Sequence, residues 1–143
     1  MEKKISILLV LLILLNCCTK IPREISIDNG QESVKIKIEI ADDEPEIMKG
    51  LMFRKSMEWN SGMLFIFKDE DYKTFWMKNT LIPLDMVFID KDFKIVDIKY
   101  ALPCTQDPCK LYPSLKPAQY VLELNGNFTL INNIREGAKI KIS

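Results

Sequence analysis

The sequence predicts an α+β domain in which antiparallel β structure dominates: a curled sheet or partly open barrel of seven or eight short strands, with one clear helix packed on it. Three observations predict this class. Segments alternating apolar with polar residues recur at short intervals, as half-buried strands do. Between them stand continuous apolar runs of strand length, residues 63–67 and 86–89, each bounded by turn residues. One clear stretch, beginning at Asp43, sets its apolar residues at helical spacing behind a capping side chain.

The chain starts with Glu2, Lys3 and Lys4 and continues into an apolar run over residues 5–15, interrupted only by Ser6. That run is about half of the roughly 20 residues a membrane span needs, and it has the shape of a secretory signal. Leu14-Leu15-Asn16-Cys17 resembles the lipobox of bacterial lipoproteins, whose cysteine takes a diacylglycerol and becomes the mature N-terminus; Cys18 is a second candidate. The expected division is a signal peptide over residues 1–16, a lipidated terminus and tether over 17–24, and a single domain over 25–143. The expected location is the cell envelope, exported and held at a membrane by two or more acyl chains, on the periplasmic or outer face. The alternative is a soluble exported protein whose cysteines merely end the signal.

Residues 25–27 and 34–40 alternate apolar with polar, with Asp28-Asn29-Gly30 between them, and predict an antiparallel hairpin with one buried face. Asp42 and Asp43 stand where an N-cap is wanted, Pro45 and Glu46 suit a first turn, and Ile47, Met48, Leu51 and Met52 follow at helical spacing. A helix over about residues 43–54 is expected, with Gly50 a weak point inside it at about 1 kcal/mol relative to Ala. Strands are then expected over 63–67, 72–77, 84–89 and 93–101, in a meander. Residues 74–85 are the densest part of the chain, and Phe75 and Met77 opposite Trp76 predict a central strand. Four prolines within residues 103–117 predict an irregular ordered loop. A strand over 118–124, a short helix or packed turn over 128–134 and a last strand over 138–142 complete the order.

A length of 143 residues supports one hydrophobic core, and Lys plus Arg equals Asp plus Glu at 20 each. That balance leaves no electrostatic footprint for nucleic acid, and a monomer is expected. The chain has no histidine, which excludes triads built on it and removes the commonest zinc ligand. Neither a phosphate-binding loop nor a dinucleotide fingerprint occurs, so no cofactor and no metal are expected. Cys104 and Cys109, in an exported domain, read as a structural disulfide of about 2 kcal/mol, with a functional thiol pair as the alternative.

Asp85 and Glu123 lie in or beside apolar strands, where a carboxylate must be paired or must shift its pKa. They read either as a general acid and base, or as the polar end of a pocket walled by Phe75, Trp76 and Met77. The structural alternative has Asp85 accepting N–H groups of the 81–84 turn and Glu123 pairing with Arg54.

Gly50-Leu-Met-Phe-Arg54, Gly62-Met-Leu-Phe-Ile-Phe67, Phe75-Trp-Met-Lys-Asn-Thr80 with Ile82-Pro-Leu-Asp85, and Val121-Leu-Glu-Leu124 resemble, in order, the blocks of the family called domain of unknown function 192 (DUF192). Cys104 and Cys109 are similar to the family variant with a cysteine-closed loop at that place. The resemblance implies a strand-rich single domain, commonly exported or membrane-tethered, with no established activity. Its pattern picks out Arg54, Trp76, Met77, Asn79, Thr80, Pro83, Asp85 and Glu123.

The functional expectation is a lipid-anchored, non-catalytic module that binds a small ligand or serves as an accessory. Its pocket is expected where the 79–85 turn, Trp76 and the cysteine-closed loop converge, and suits a sugar, a peptide end or a cationic small molecule. Two alternatives stand beside it. One is a hydrolase or lyase running on Asp85 and Glu123, which needs the carboxylates roughly 5 to 9.5 Å apart. The other is a scaffold that docks a protein through the Pro-rich 103–117 loop, beside Tyr112 and Leu115.

Overall fold

The computed structural model describes residues 23–142; the expected signal peptide and the lipidation positions Cys17 and Cys18 lie outside the described residues. Strand β1 (Arg23–Asp28) turns into β2 (Ser33–Ala41) as the alternation requires. Asp28 Oδ1 accepts the Gly30 N–H, and Asn29 Oδ1 accepts those of Gln31 and Glu32. Those side chains supply the acceptors the turn backbone lacks. The register sets Ile25 against Ile36 and Ile27 against Val34, so the apolar residues of both strands share one face.

Helix α1 (Glu44–Lys49) starts as expected, with Asp43 Oδ1 accepting the Glu46 N–H at 2.8 Å. It ends earlier than expected: Gly50 is its C-cap at φ 46° and ψ −134°, a conformation open to glycine, so residues 50–54 leave the helix. The other elements are β3 (Ser61–Asp71), β4 (Thr74–Trp76), β5 (Leu84–Ile89), β6 (Ile95–Ala101), β7 (Leu111–Pro113), β8 (Ala118–Asn125), α2 (Phe128–Ile131) and β9 (Lys139–Ile142). Two small helices therefore replace the one clear helix expected.

Seven strands form a curled sheet, a half-barrel, in the order β6-β5-β8-β3-β2-β1-β9. Every pairing in it is antiparallel except β2–β3, whose parallel alignment is made possible by the α1 crossover. The expected meander is overturned, because β8 inserts between β3 and β5, leaving β5–β6 as the sequential hairpin of the middle region. Strand β4 pairs with β7 in a separate two-stranded sheet, so residues 74–76 are not a central strand. Strand β7 itself is an element where an irregular loop was expected. The outer ends meet at one corner, where a Lys94–Lys139 bridge is flanked by Ile95 N–H to Ala138 O and Ile140 N–H to Phe93 O, each 2.9 Å.

Each face of the sheet carries its own core. The concave one is filled by aliphatic residues of the seven strands with Phe128 and Ile134. The other, around Phe65, Met86, Phe88 and Val121, is covered by Leu51, Met77 and Tyr112 from the 50–57 loop and the β4–β7 sheet. Strand β5, buried on both faces, is for that reason a continuous apolar run apart from Asp85. Gly62 is required where β3 crosses β8: a Cβ there would lie 2.5 Å from the Glu123 carbonyl oxygen.

Candidate functional site

Glu123 lies on β8 directly opposite Met63 of β3 and Met86 of β5. Residues opposite each other in an antiparallel ladder share a face, so the carboxyl group is placed among the aromatic and methionine side chains of the second core. It is 5% exposed and makes no hydrogen bond or ion pair to any described residue, and its carboxyl is not fully enclosed, consistent with its facing the cavity. Burial alone pushes its pKa up to about 8, so the carboxyl is largely protonated at neutral pH.

A cavity of about 160 Å³ opens above this group, walled by Leu51, Phe65, Phe67, Phe75 and Trp76 with Thr80 at its edge. Local chemistry builds each wall. Gly50 lets the chain leave α1 against the Phe65 ring, to which a Cβ would approach within 3.1 Å. Phe75 meets Phe65 edge to face at 5.1 Å between centroids. Trp76, 43% exposed, is set at the rim by its pairing with Leu111. The Phe53 N–H donates to the Asn79 carbonyl at 2.8 Å, tying the 50–54 loop to the 78–80 turn, and Asn79 sits at φ 56° to make that turn.

Of the residues singled out from sequence, Phe75, Trp76, Thr80 and Glu123 converge on this cavity. Met77 is buried beneath it, and its carbonyl accepts the Thr80 and Cys104 N–H groups. Asn79 acts through its backbone, its Nδ2 lying 3.9 Å from the Met52 sulfur. Pro83 is exposed and gives its carbonyl to the Gly126 N–H. The cysteine-closed loop does not line the cavity. Cys104 and Cys109 are disulfide-bonded, with Cα atoms 5.5 Å apart, and Asp107 beside them pairs with Lys78.

Three expected pairings are corrected. Arg54 does not reach Glu123; it forks onto Glu39 of β2 at 2.5 and 2.6 Å, which holds the Glu39 carboxyl below its usual range. Asp85 accepts no N–H from the 81–84 turn. It takes the backbone N–H groups of Asn127 and Thr129 and the Thr129 hydroxyl at 3.0, 2.8 and 2.7 Å, capping α2 from 42 to 44 residues away. The third correction concerns the acid and base pair: Asp85 is opposite Leu124 while Glu123 is opposite Met86, so the two carboxylates point to opposite faces of the sheet. A reaction needing both on one substrate has no place to occur.

Asp97, buried between Lys99 Nζ at 3.0 Å and the Leu115 N–H at 2.9 Å, escaped the sequence reading because its partners lie on either side of a chain reversal. It anchors the Pro-rich segment to β6. Tyr112 is buried while Leu115 is exposed, so the two do not form one surface patch. A larger depression of about 570 Å³, lined by turn residues such as Asn29 and Arg135 and by Lys139 at the start of β9, holds no buried ionisable group. Chemistry favours the smaller cavity, since a group kept charged or protonated against its solvation is what marks a site.

The family profile of DUF192, described as an uncharacterized ACR, matches residues 25–142. The chain belongs to that family. Among solved structures, this DUF192 domain is similar to a protein from Sinorhizobium meliloti 1021 described as a candidate transcription regulator, at 31% identity and a TM-score of 0.79, over 85% of this chain and 94% of that one. It is also similar to a protein of unknown function from Novosphingobium aromaticivorans DSM 12444, at 32% identity and a TM-score of 0.77, over 82% and 83% of the two chains. No curated protein matches significantly. Among the described residues no helix is long and apolar enough to cross a membrane.

Proposed function

We propose that this DUF192 protein is a non-catalytic small-ligand-binding module, exported and tethered to a cell-envelope membrane by a lipid on Cys17 or Cys18. The observation that carries the binding reading is Glu123, a buried residue whose carboxyl has no partner among the described residues and lines an aromatic-walled cavity. A fold gains nothing from such a group. Glutamine or methionine in its place would fill the same space without the desolvation that displaces its pKa. A ligand gives the group something to bind, and the cavity gives the ligand a way in. The tether rests on the short apolar run before Cys17.

Transcription regulation, the role named in the description of the Sinorhizobium protein, finds no electrostatic support here if it needs direct contact with nucleic acid, since 20 basic side chains are balanced by 20 acidic ones. The binding reading is tested by NMR of the purified protein, following the Glu123 carboxyl carbon and the Trp76 indole while a library of small polar fragments is added. Saturable shifts at both positions, lost in Glu123→Gln, support it; a library that moves neither overturns it. The tether is tested by mass spectrometry of protein taken from membranes, which should find diacylglycerol on Cys17 or Cys18.

A further inference from the structure

We infer that the cavity takes a small primary ammonium group, which pairs with the Glu123 carboxylate, packs against the surrounding aromatic rings and releases one proton to solvent as it binds. This rests on the reading of the cavity as a ligand site and names the chemistry of what enters it. The proton comes from the Glu123 carboxyl; the ammonium keeps its charge, and no covalent bond changes.

The lining selects for a cation. Four of its side chains, Phe65, Phe67, Phe75 and Trp76, are aromatic, and ring faces attract ammonium groups. The protein's own lysines already use these rings in that way, Lys73 Nζ lying 4.6 Å from the Phe67 centroid and Lys78 Nζ 5.7 Å from that of Trp76. An anionic ligand would meet no arginine in the cavity and one cation, Lys49, exposed at its mouth. The volume of about 160 Å³ is well below the several hundred Å³ of sites for drug-sized molecules, so the occupant is a short chain ending in the charge.

The groups facing Glu123 leave its titration in control of the pH dependence. Met63 and Phe65 of β3, Met86 of β5, and Phe75, Trp76 and Thr80 from β4 and the turn after it carry no charge. Lys49, at the end of α1, is the other ionisable side chain of the lining; it is exposed at the mouth, where solvent screens it. With the Glu123 pKa at about 8, an ammonium ligand must displace the proton at neutral pH. Its affinity therefore rises by about tenfold from pH 7 to pH 9.

Two sources supply the chemistry, a free alkylamine or the ammonium of a polypeptide. The experiment titrates the purified protein with n-butylammonium chloride and with Nα-acetyl-lysine methylamide. n-Butanol and sodium butyrate serve as shape controls, and the Glu123 and Trp76 resonances are followed across pH 6 to 9. Expected are saturable binding of the ammonium probes, the tenfold gain between pH 7 and pH 9, proton release seen as a buffer-dependent heat, and loss of binding in Glu123→Gln with its spectrum otherwise native. A stronger response to the lysine derivative than to n-butylammonium assigns the polypeptide source, and the reverse assigns the free amine. Binding of n-butanol or butyrate in preference to the ammonium overturns the inference and leaves the ligand site standing. No response to any probe or fragment overturns both.

Discussion

Glu123→Gln should stabilise this protein, by an amount that grows with pH. The native carboxyl titrates at about 8, against 4.5 for an ordinary glutamate. Below about pH 4.5 the side chain is protonated in both states, and glutamine, its near isostere, should change little. Between the two values the unfolded chain releases the proton while the native one keeps it. The native state then binds more protons, so the stability of the parent falls as pH rises, by about 1.4 kcal/mol per unit. Above about pH 8 the loss levels off, at roughly 4 to 5 kcal/mol. Water entering the cavity on ionisation lowers that ceiling, and we expect a measured difference of about 3 kcal/mol at pH 8. The assay is urea unfolding of parent and variant from about pH 4.5 to 8.5, plotted as the difference between them, which cancels every other titrating group. A flat difference, or a variant less stable than the parent at pH 8, would show that the Glu123 charge has a partner in the native state and refute the reasoning.

Asp85→Asn should act in the opposite sense, since Asn127, the Thr129 backbone and its hydroxyl all donate to that carboxylate. The cost is about 3 kcal/mol, read as a thermal midpoint lower by about 10 °C or more. Gly62→Ala should prevent folding or lower the midpoint sharply, because its Cβ would meet the Glu123 carbonyl oxygen at 2.5 Å; circular dichroism of the expressed variant decides. Arg54→Ala should cost no more than about 1 kcal/mol, diminished further by salt, and leave the Glu123 titration where it was, since the pair it breaks is with an exposed Glu39. The Cys104→Ser, Cys109→Ser double variant should lose about 2 kcal/mol without altering the Trp76 environment, and the unreduced parent should show no free thiol at these positions.

The local alternation of the first hairpin was legible because neighbouring residues alone decide it. Ile25, Ile27, Ile36 and Ile38 end up on one face, where a period of two puts them. What joins distant parts was not. Nothing in residues 61–71 says that β3 aligns in parallel with β2 or that β8 divides it from β5, since apolar runs are interchangeable as partners. The helix overshot because Leu51 and Met52 continue its spacing while Gly50 leaves its backbone conformation. Prolines at 108, 113 and 117 hid the three residues of β7. In the site, Glu123 was recognisable as a carboxyl among apolar neighbours. Its supposed partner was not Arg54, because a closer carboxylate, Glu39, lies on the strand beside β3. Asp85 needed its acceptor role, and that too was legible, but the donors come from a helix far along the chain.

Strand β1 is bordered on one side by β2, made immediately after it, and on the other by β9, the last strand, with Ile25 opposite Ile142. The order of synthesis therefore matters. Until residues 139–142 exist, β1 keeps an open row of backbone donors and acceptors and the concave core lacks Ile140. The sheet is completed only after residues 139–142 have been made. A ladder joining residues more than a hundred positions apart also makes folding slow relative to domains built from local contacts. Loss of residues 139–142 would leave β1 as a sticky edge, a template for pairing with another molecule.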